Sequence, residues 1–201
     1  MRLKNFFILS IAMVLALGFQ VEAFSQNSLS DAVYVIPIKG VIDEGLVKFV
    51  ERGIREADRI QAKAIVIEID TPGGEVQAAS KISDAILKAS VPTISYVNKE
   101  ALSAGVIITI SSKSVAMAPG STIGAAETRP KEEKYISAWS KKLQTVAEVN
   151  QRDKQLVAGM ADADVVIEGL KEKGKILTLT ASEAVELGLA DTVAKDINEV
   201  L

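Results

Sequence analysis

The sequence predicts one α/β domain whose strands pair mainly in parallel. Short β-branched runs alternate with stretches of helical periodicity over most of the chain, the pattern of repeated strand and helix units. Residues 64–69 are apolar apart from Glu68 and do not alternate, as befits a strand covered on both faces. At 201 residues, 48% of them hydrophobic and 24% charged, the chain has material for one core of ordinary size.

Taken in order, Arg2 and Lys4 precede an uncharged apolar run over residues 6–19, and Val21-Glu22-Ala23 offers small residues at the two positions that signal peptidase reads. Residues 1–23 are therefore expected to be a cleaved secretory signal. The uncharged run is short against the roughly 20 residues that a spanning helix needs, which ranks a retained anchor second. A polar spacer over residues 24–30 leads to the domain at 31–201. Its first strand is expected over 32–38, a helix over 44–61, and the second strand over 64–69, broken by Thr71-Pro72-Gly73-Gly74. Val76, Ala79, Ile82, Ile86 and Leu87 recur at helical spacing before a third strand at 93–97. A helix is expected to open near Ser103, followed by a strand at 114–118, a turn at Pro119-Gly120 and a loop through 123–126. A long helix starting near Pro130 would bury a stripe of Tyr135, Ala138, Trp139 and Leu143. A strand at 176–179, a short helix capped by Ser182 and ending at Gly188, and a strand at 191–194 complete the reading.

The formal charge of −3 and scattered lysines give no electrostatic case for a nucleic-acid partner. The chain has no histidine and no cysteine, so the commonest zinc and iron ligands are missing and no metal or cofactor is expected. The same absences exclude a Ser/His/Asp arrangement and a thiol nucleophile. Covalent catalysis would have to take its base from lysine or a carboxylate.

Two segments could carry such chemistry. Thr71-Pro72-Gly73-Gly74 leaves the carboxyl end of a buried parallel strand, where α/β sheets bind ligands, and its glycines allow close approach to backbone N–H groups. Taken alone, it reads as a tight turn into the next helix. Ser103, in Ala101-Leu102-Ser103-Ala104-Gly105, follows the third strand at the same sheet end and is expected in a helix's first turn, where N–H groups face an oxyanion. A lone serine there is usually a cap. Its proximity to Gly74 makes it a nucleophile candidate.

Four motifs occur in order: Ile69-Asp70-Thr71-Pro72-Gly73-Gly74; Leu102-Ser103-Ala104-Gly105; Met117-Ala118-Pro119-Gly120-Ser121-Thr122-Ile123-Gly124-Ala125-Ala126; and the stretch over 179–191. Together they resemble the amino-terminal protease domain of the NfeD family, membrane-associated relatives of ClpP and signal peptide peptidase A. The resemblance implies a ClpP/crotonase-like fold with repeated ββα units and a serine endopeptidase working through a Ser/Lys dyad. Carried over by position, Ser103 matches the nucleophile. Pro130-Lys131, followed by Tyr135, Trp139 and Lys141, matches the segment of the base, so Lys131 is the expected base, with Lys134 and then Lys141 as alternatives. Gly74 and Ala104 would supply the oxyanion-hole N–H groups, and Gly73 and Leu102 would bind substrate. Leu102 stands where relatives usually have a small residue.

A free lysine titrates near pH 10.4, so serving as a base near neutrality requires a fall of about 3 pH units, worth roughly 4 kcal/mol. Burial of Lys131 is expected to provide it, with Glu132 and Glu133 turned to solvent. The signal implies export, and the resemblance further implies a membrane-associated homodimer that cleaves apolar segments, among them the carboxyl-terminal region of a stomatin-like membrane protein bound as an added strand. Two other readings compete: a catalytically silent scaffold that binds a membrane partner, and an acyl-CoA enzyme of the crotonase type. The export signal argues against the latter.

Overall fold

The computed structural model describes residues 31–201; the expected signal at 1–23 and spacer at 24–30 lie outside the described residues. Strand and helix alternate from β1 (Val33–Ile42) through α1 (Glu44–Arg59), β2 (Ala64–Gly74), α2 (Val76–Leu87), β3 (Thr93–Leu102) and α3 (Gly105–Ile110) to β4 (Ser114–Met117). After β4 the chain goes directly to β5 (Thr122–Gly124), then through α4 (Glu133–Val149), α5 (Lys154–Ala161), β6 (Thr178–Thr180), α6 (Ala181–Glu186), β7 (Thr192–Val193) and α7 (Ile197–Val200).

The sheet runs β1-β2-β3-β4-β7, and every pairing along this path is parallel. β4 and β5 share one edge of β3 in succession. β4 pairs with Ile94 to Val97, and β5 pairs with Glu100 to Leu102. The antiparallel exception is β5 with β6, in which Gly124 faces Thr178.

Packing follows the sequence pattern. Asp43 caps α1 by accepting the Leu46 N–H at 2.9 Å, and Val47, Val50, Ile54 and Ala57 recur on its buried face. Alternate β2 residues serve opposite sides of the sheet. Ile65, Ile67 and Ile69 join the main core with Ile36, Ile38 and Ile107, whereas Val66 joins Tyr96, Ala116 and Ala194 in a smaller cluster behind it. This double burial explains the continuous apolar run from Ala64 to Ile67.

Several elements differ from the sequence reading. Thr71-Pro72-Gly73-Gly74 does not break β2; it continues the strand, with Val41 facing Gly73 and Ile42 facing Gly74 after a register shift. Proline and glycine are tolerated because β1 is extended too and the two backbones approach closely: a Cβ on Gly74 would lie 2.2 Å from the Ile42 carbonyl oxygen. The long helix begins at Glu133, not near Pro130. Its buried residues are Trp139, Ser140, Leu143, Val146 and Ala147, whereas Tyr135 is 45% exposed and Ala138 also faces solvent. Residues 123 and 124, expected in a loop, form part of β5. α5 was absent from the sequence reading, although Asp153 caps it by accepting the Gln155 and Leu156 N–H groups. α6 is capped by Thr180, not by Ser182.

Candidate active site

β2 and β3 bring Thr71 opposite Ala101, so the two segments singled out by sequence meet at one end of the sheet. Thr71 is fully buried and organises its own segment. Its Oγ1 donates to the Gly40 carbonyl at 2.6 Å and accepts the Gly73 N–H at 3.0 Å. Gly105, the first residue of α3, has to be small, since a Cβ there would meet Thr71 Cγ2 at 2.7 Å. The helix can thus begin directly against the end of β2.

Ser103 stands between β3 and α3 as an elbow, two residues ahead of the helix that was expected to contain it. Its φ of 54° lies in the left-handed region, which costs a side-chain-bearing residue about 1–2 kcal/mol. Two bonds oppose that cost. The Ser103 N–H donates to the Gly124 carbonyl at 2.9 Å, and the Ser103 carbonyl accepts the Val106 N–H at 3.1 Å. Left-handed backbone at two residues lining one cavity, Ser103 and Ala125 (φ 49°), is a recurring sign of function.

The cavity beside the elbow has a volume of about 710 Å³. Ser103, Leu102 and Gly74 line it together with Glu75, Glu127 and Arg129. Gly73 lies buried directly behind Ser103 and has a φ of 109°; a Cβ there would fall 2.6 Å from the Ser103 Cβ. Ala104 is buried, and among the described residues its N–H has no acceptor. A free backbone N–H next to a partly exposed hydroxyl can receive negative charge developing on a substrate oxygen.

The lysines stand elsewhere. Lys131 is not buried. Its side chain is 60% exposed, it bonds Glu127 Oε1 at 2.8 Å, and it does not line the cavity. Lys134 pairs with Glu132 at 3.0 Å and lies over the Tyr135 ring, and Lys141 is exposed. Glu132 and Glu133 face solvent, as expected. Glu127, four residues before Lys131, is the competitor that sequence reading overlooked, although an i, i+4 acid and base form a familiar pair. Thr71 and Gly124 were also missed as supports of the elbow. Among the described residues, no three His, Cys, Asp or Glu side chains are placed to hold a metal ion, and no helix is long and apolar enough to cross a membrane.

Comparison with known proteins places these features in context. The family model described as NfeD1b, N-terminal domain, matches residues 32–201. The chain is 33% identical over 200 residues to the membrane protein NfeD1b of Bacillus subtilis, covering 96% of this chain and 45% of that protein. It is 35% identical over 185 residues to the membrane-bound protease PH1510 of Pyrococcus horikoshii, covering 84% and 38% respectively. The chain thus spans less than half the length of either relative. Among solved structures, it is similar to 1510-N, a membrane-bound stomatin-specific protease, in a lysine-to-alanine variant bound to a substrate peptide. That match has a TM-score of 0.73 and 30% identity over 85% of this chain and 78% of the other. A serine-to-alanine variant of 1510-N matches with a TM-score of 0.74. ClpP1 from Listeria monocytogenes, at 18% identity and a TM-score of 0.66 over 84% of this chain and 95% of its own, shares the fold.

Proposed function

The chain belongs to the family of NfeD1b N-terminal domains, and from that premise we propose that it is a serine endopeptidase acting through Ser103 and Lys131. The observation that carries the reading is the Ser103 elbow: a partly exposed hydroxyl on a left-handed residue, backed by Gly73, at the mouth of a 710 Å³ cavity. Similarity to 1510-N, for which both a serine and a lysine variant have been made, supports the pairing of residue types.

In this mechanism Lys131 leaves Glu127, moves toward the cavity as a neutral amine and takes the Ser103 hydroxyl proton. Oγ attacks the scissile carbonyl, and the N–H groups of Gly74 and Ala104 receive the oxyanion. The tetrahedral intermediate collapses when the lysine returns the proton to the leaving amine. Lys131 then takes a proton from water, the resulting hydroxide attacks the acyl carbonyl, and Lys131 returns the proton to Ser103 Oγ as the acid is released. Losing one oxyanion donor would cost on the order of 10²-fold to 10³-fold in rate.

The proposed substrate is an extended apolar segment of a stomatin-like membrane protein, lying along Gly73 and Leu102 as an added strand. Similarity to a stomatin-specific protease supports the substrate class. We further propose export under the signal at residues 1–23, action at the extracytoplasmic membrane surface and assembly as a homodimer. The exposed, ion-paired Lys131 favours one competing reading, a silent scaffold that binds the same partner.

The test uses the full chain with apolar peptides and peptides of a stomatin-like carboxyl-terminal region, alongside Ser103→Ala and Lys131→Ala. Wild type is expected to cleave and to take up a fluorophosphonate at Ser103, with each variant slower by at least about 10³-fold. Equal cleavage by all three would overturn the dyad. Peptide binding without cleavage would support the scaffold.

A further inference from the structure

Residues 127–138 form an excursion from the body of the domain. Residues 129–135 are all exposed, and α4 does not become buried until Trp139. The two ends of the excursion meet in one bond. Trp139 Nε1 donates to the Ala126 carbonyl at 2.9 Å, and the tryptophan is only 5% exposed. Ala126 is also held from its other side, its N–H donating to the Met160 carbonyl at 2.7 Å. Just upstream, Gly124 accepts the Ser103 N–H. A single backbone stretch therefore seats the elbow at one end and the excursion carrying Lys131 at the other.

We propose that Trp139 is a positioning residue whose indole N–H closes the neck of the 127–138 excursion and so fixes the path by which Lys131 reaches Ser103. This rests on the dyad reading given above. The ring also fills core space, and a tryptophan serving only that purpose would be replaceable by another aromatic residue. What separates the roles is the N–H, which a buried tryptophan keeps bonded. Phenylalanine retains most of the apolar volume and lacks the donor. The Ala126 carbonyl would then lose its tie to α4 while the core stayed filled. Because residues 129–135 are all exposed and Thr128 is the one buried residue between Ala126 and Trp139, opening of the excursion should be the local event most sensitive to that loss.

Two readouts on Trp139→Phe in the full chain decide the matter. Amide exchange is expected to quicken about five- to tenfold at the hydrogen-bonded amides of the first turns of α4, residues 135–138, the ratio that one net hydrogen bond supports, with β2 and β3 unchanged. Peptide cleavage below the melting range is expected to show kcat lowered by on the order of tenfold at constant KM, since misplacement of a catalytic group slows reaction without weakening ground-state binding. Unchanged exchange over the excursion, or a rise spread evenly through the sheet, would overturn the neck. Faster local exchange with wild-type kcat would overturn the positioning role. If wild type cleaves nothing, the failure belongs to the dyad reading, and the exchange measurement still decides whether the indole closes the neck.

Discussion

Ser103 occupies the space that a side chain on Gly73 would need: a Cβ at residue 73 would lie 2.6 Å from the Ser103 Cβ and 3.0 Å from its Oγ. The elbow and the glycine behind it form one unit, and Gly73 cannot gain a side chain while Ser103 keeps its own. Gly73→Ala combines this clash with a φ of 109°. It is expected to abolish turnover and lower stability by about 1–3 kcal/mol, read from kcat and from the urea midpoint.

The left-handed elbow gives a comparison between two inactive variants. Ser103→Ala keeps the strain and Ser103→Gly relieves it, because glycine adopts positive φ freely. Ser103→Gly is expected to be more stable than Ser103→Ala by about 1 kcal/mol in chemical denaturation. Equal stability of the two would show that the elbow stores no strain.

Thr71 is buried, and its hydroxyl serves Gly40 and Gly73 together. Thr71→Val preserves shape but leaves the buried Gly73 N–H and the part-buried Gly40 carbonyl without that partner, so a loss of about 1–3 kcal/mol is expected. Thr71→Ser should recover most of it. Denaturant titration of the three proteins checks the order.

Glu183 closes a capping box on α6. Its carboxylate accepts the Thr180 N–H at 2.8 Å and the Thr180 hydroxyl at 2.9 Å, and these bonds, the backbone one foremost, hold its carboxyl below the usual range. A carboxyl depressed in the folded state stabilises above its unfolded value and loses that contribution as pH falls through the folded value. Wild type is therefore expected to melt above Glu183→Gln at neutral pH, with the gap closing as pH drops below about 4.5. A gap constant across that range would remove the cap as its source.

The strand and helix alternation was legible because burial on both faces of β2 writes an apolar run from Ala64 to Ile67, and helices such as α1 repeat their buried residues every three or four positions. Ser103 was legible mainly through its place after a strand. The left-handed backbone was not, since that conformation is imposed by Gly124, Val106 and Gly73, which are contributed by three separate segments. Local composition misled at Thr71-Pro72-Gly73-Gly74. Breaker residues sit in a strand there because a neighbouring strand is extended beside them. β5 is three residues long, too short to show periodicity, and is defined by its partners on both sides. Lys131 drew attention as a base, while its observed partner Glu127 went unread because a surface ion pair leaves no mark beyond ordinary spacing.

The pairing of β5 also dates the elbow within the life of the chain. A ribosome releases residues from the amino end, and β1 through β4 can gather once the first 117 are free. Ser103 has no Gly124 carbonyl to hold it at that stage, and β5 itself lacks its outer neighbour until Thr178 to Thr180 emerge. A nascent chain thus carries the serine long before it carries the seat, and the strained conformation is reserved for the assembled domain.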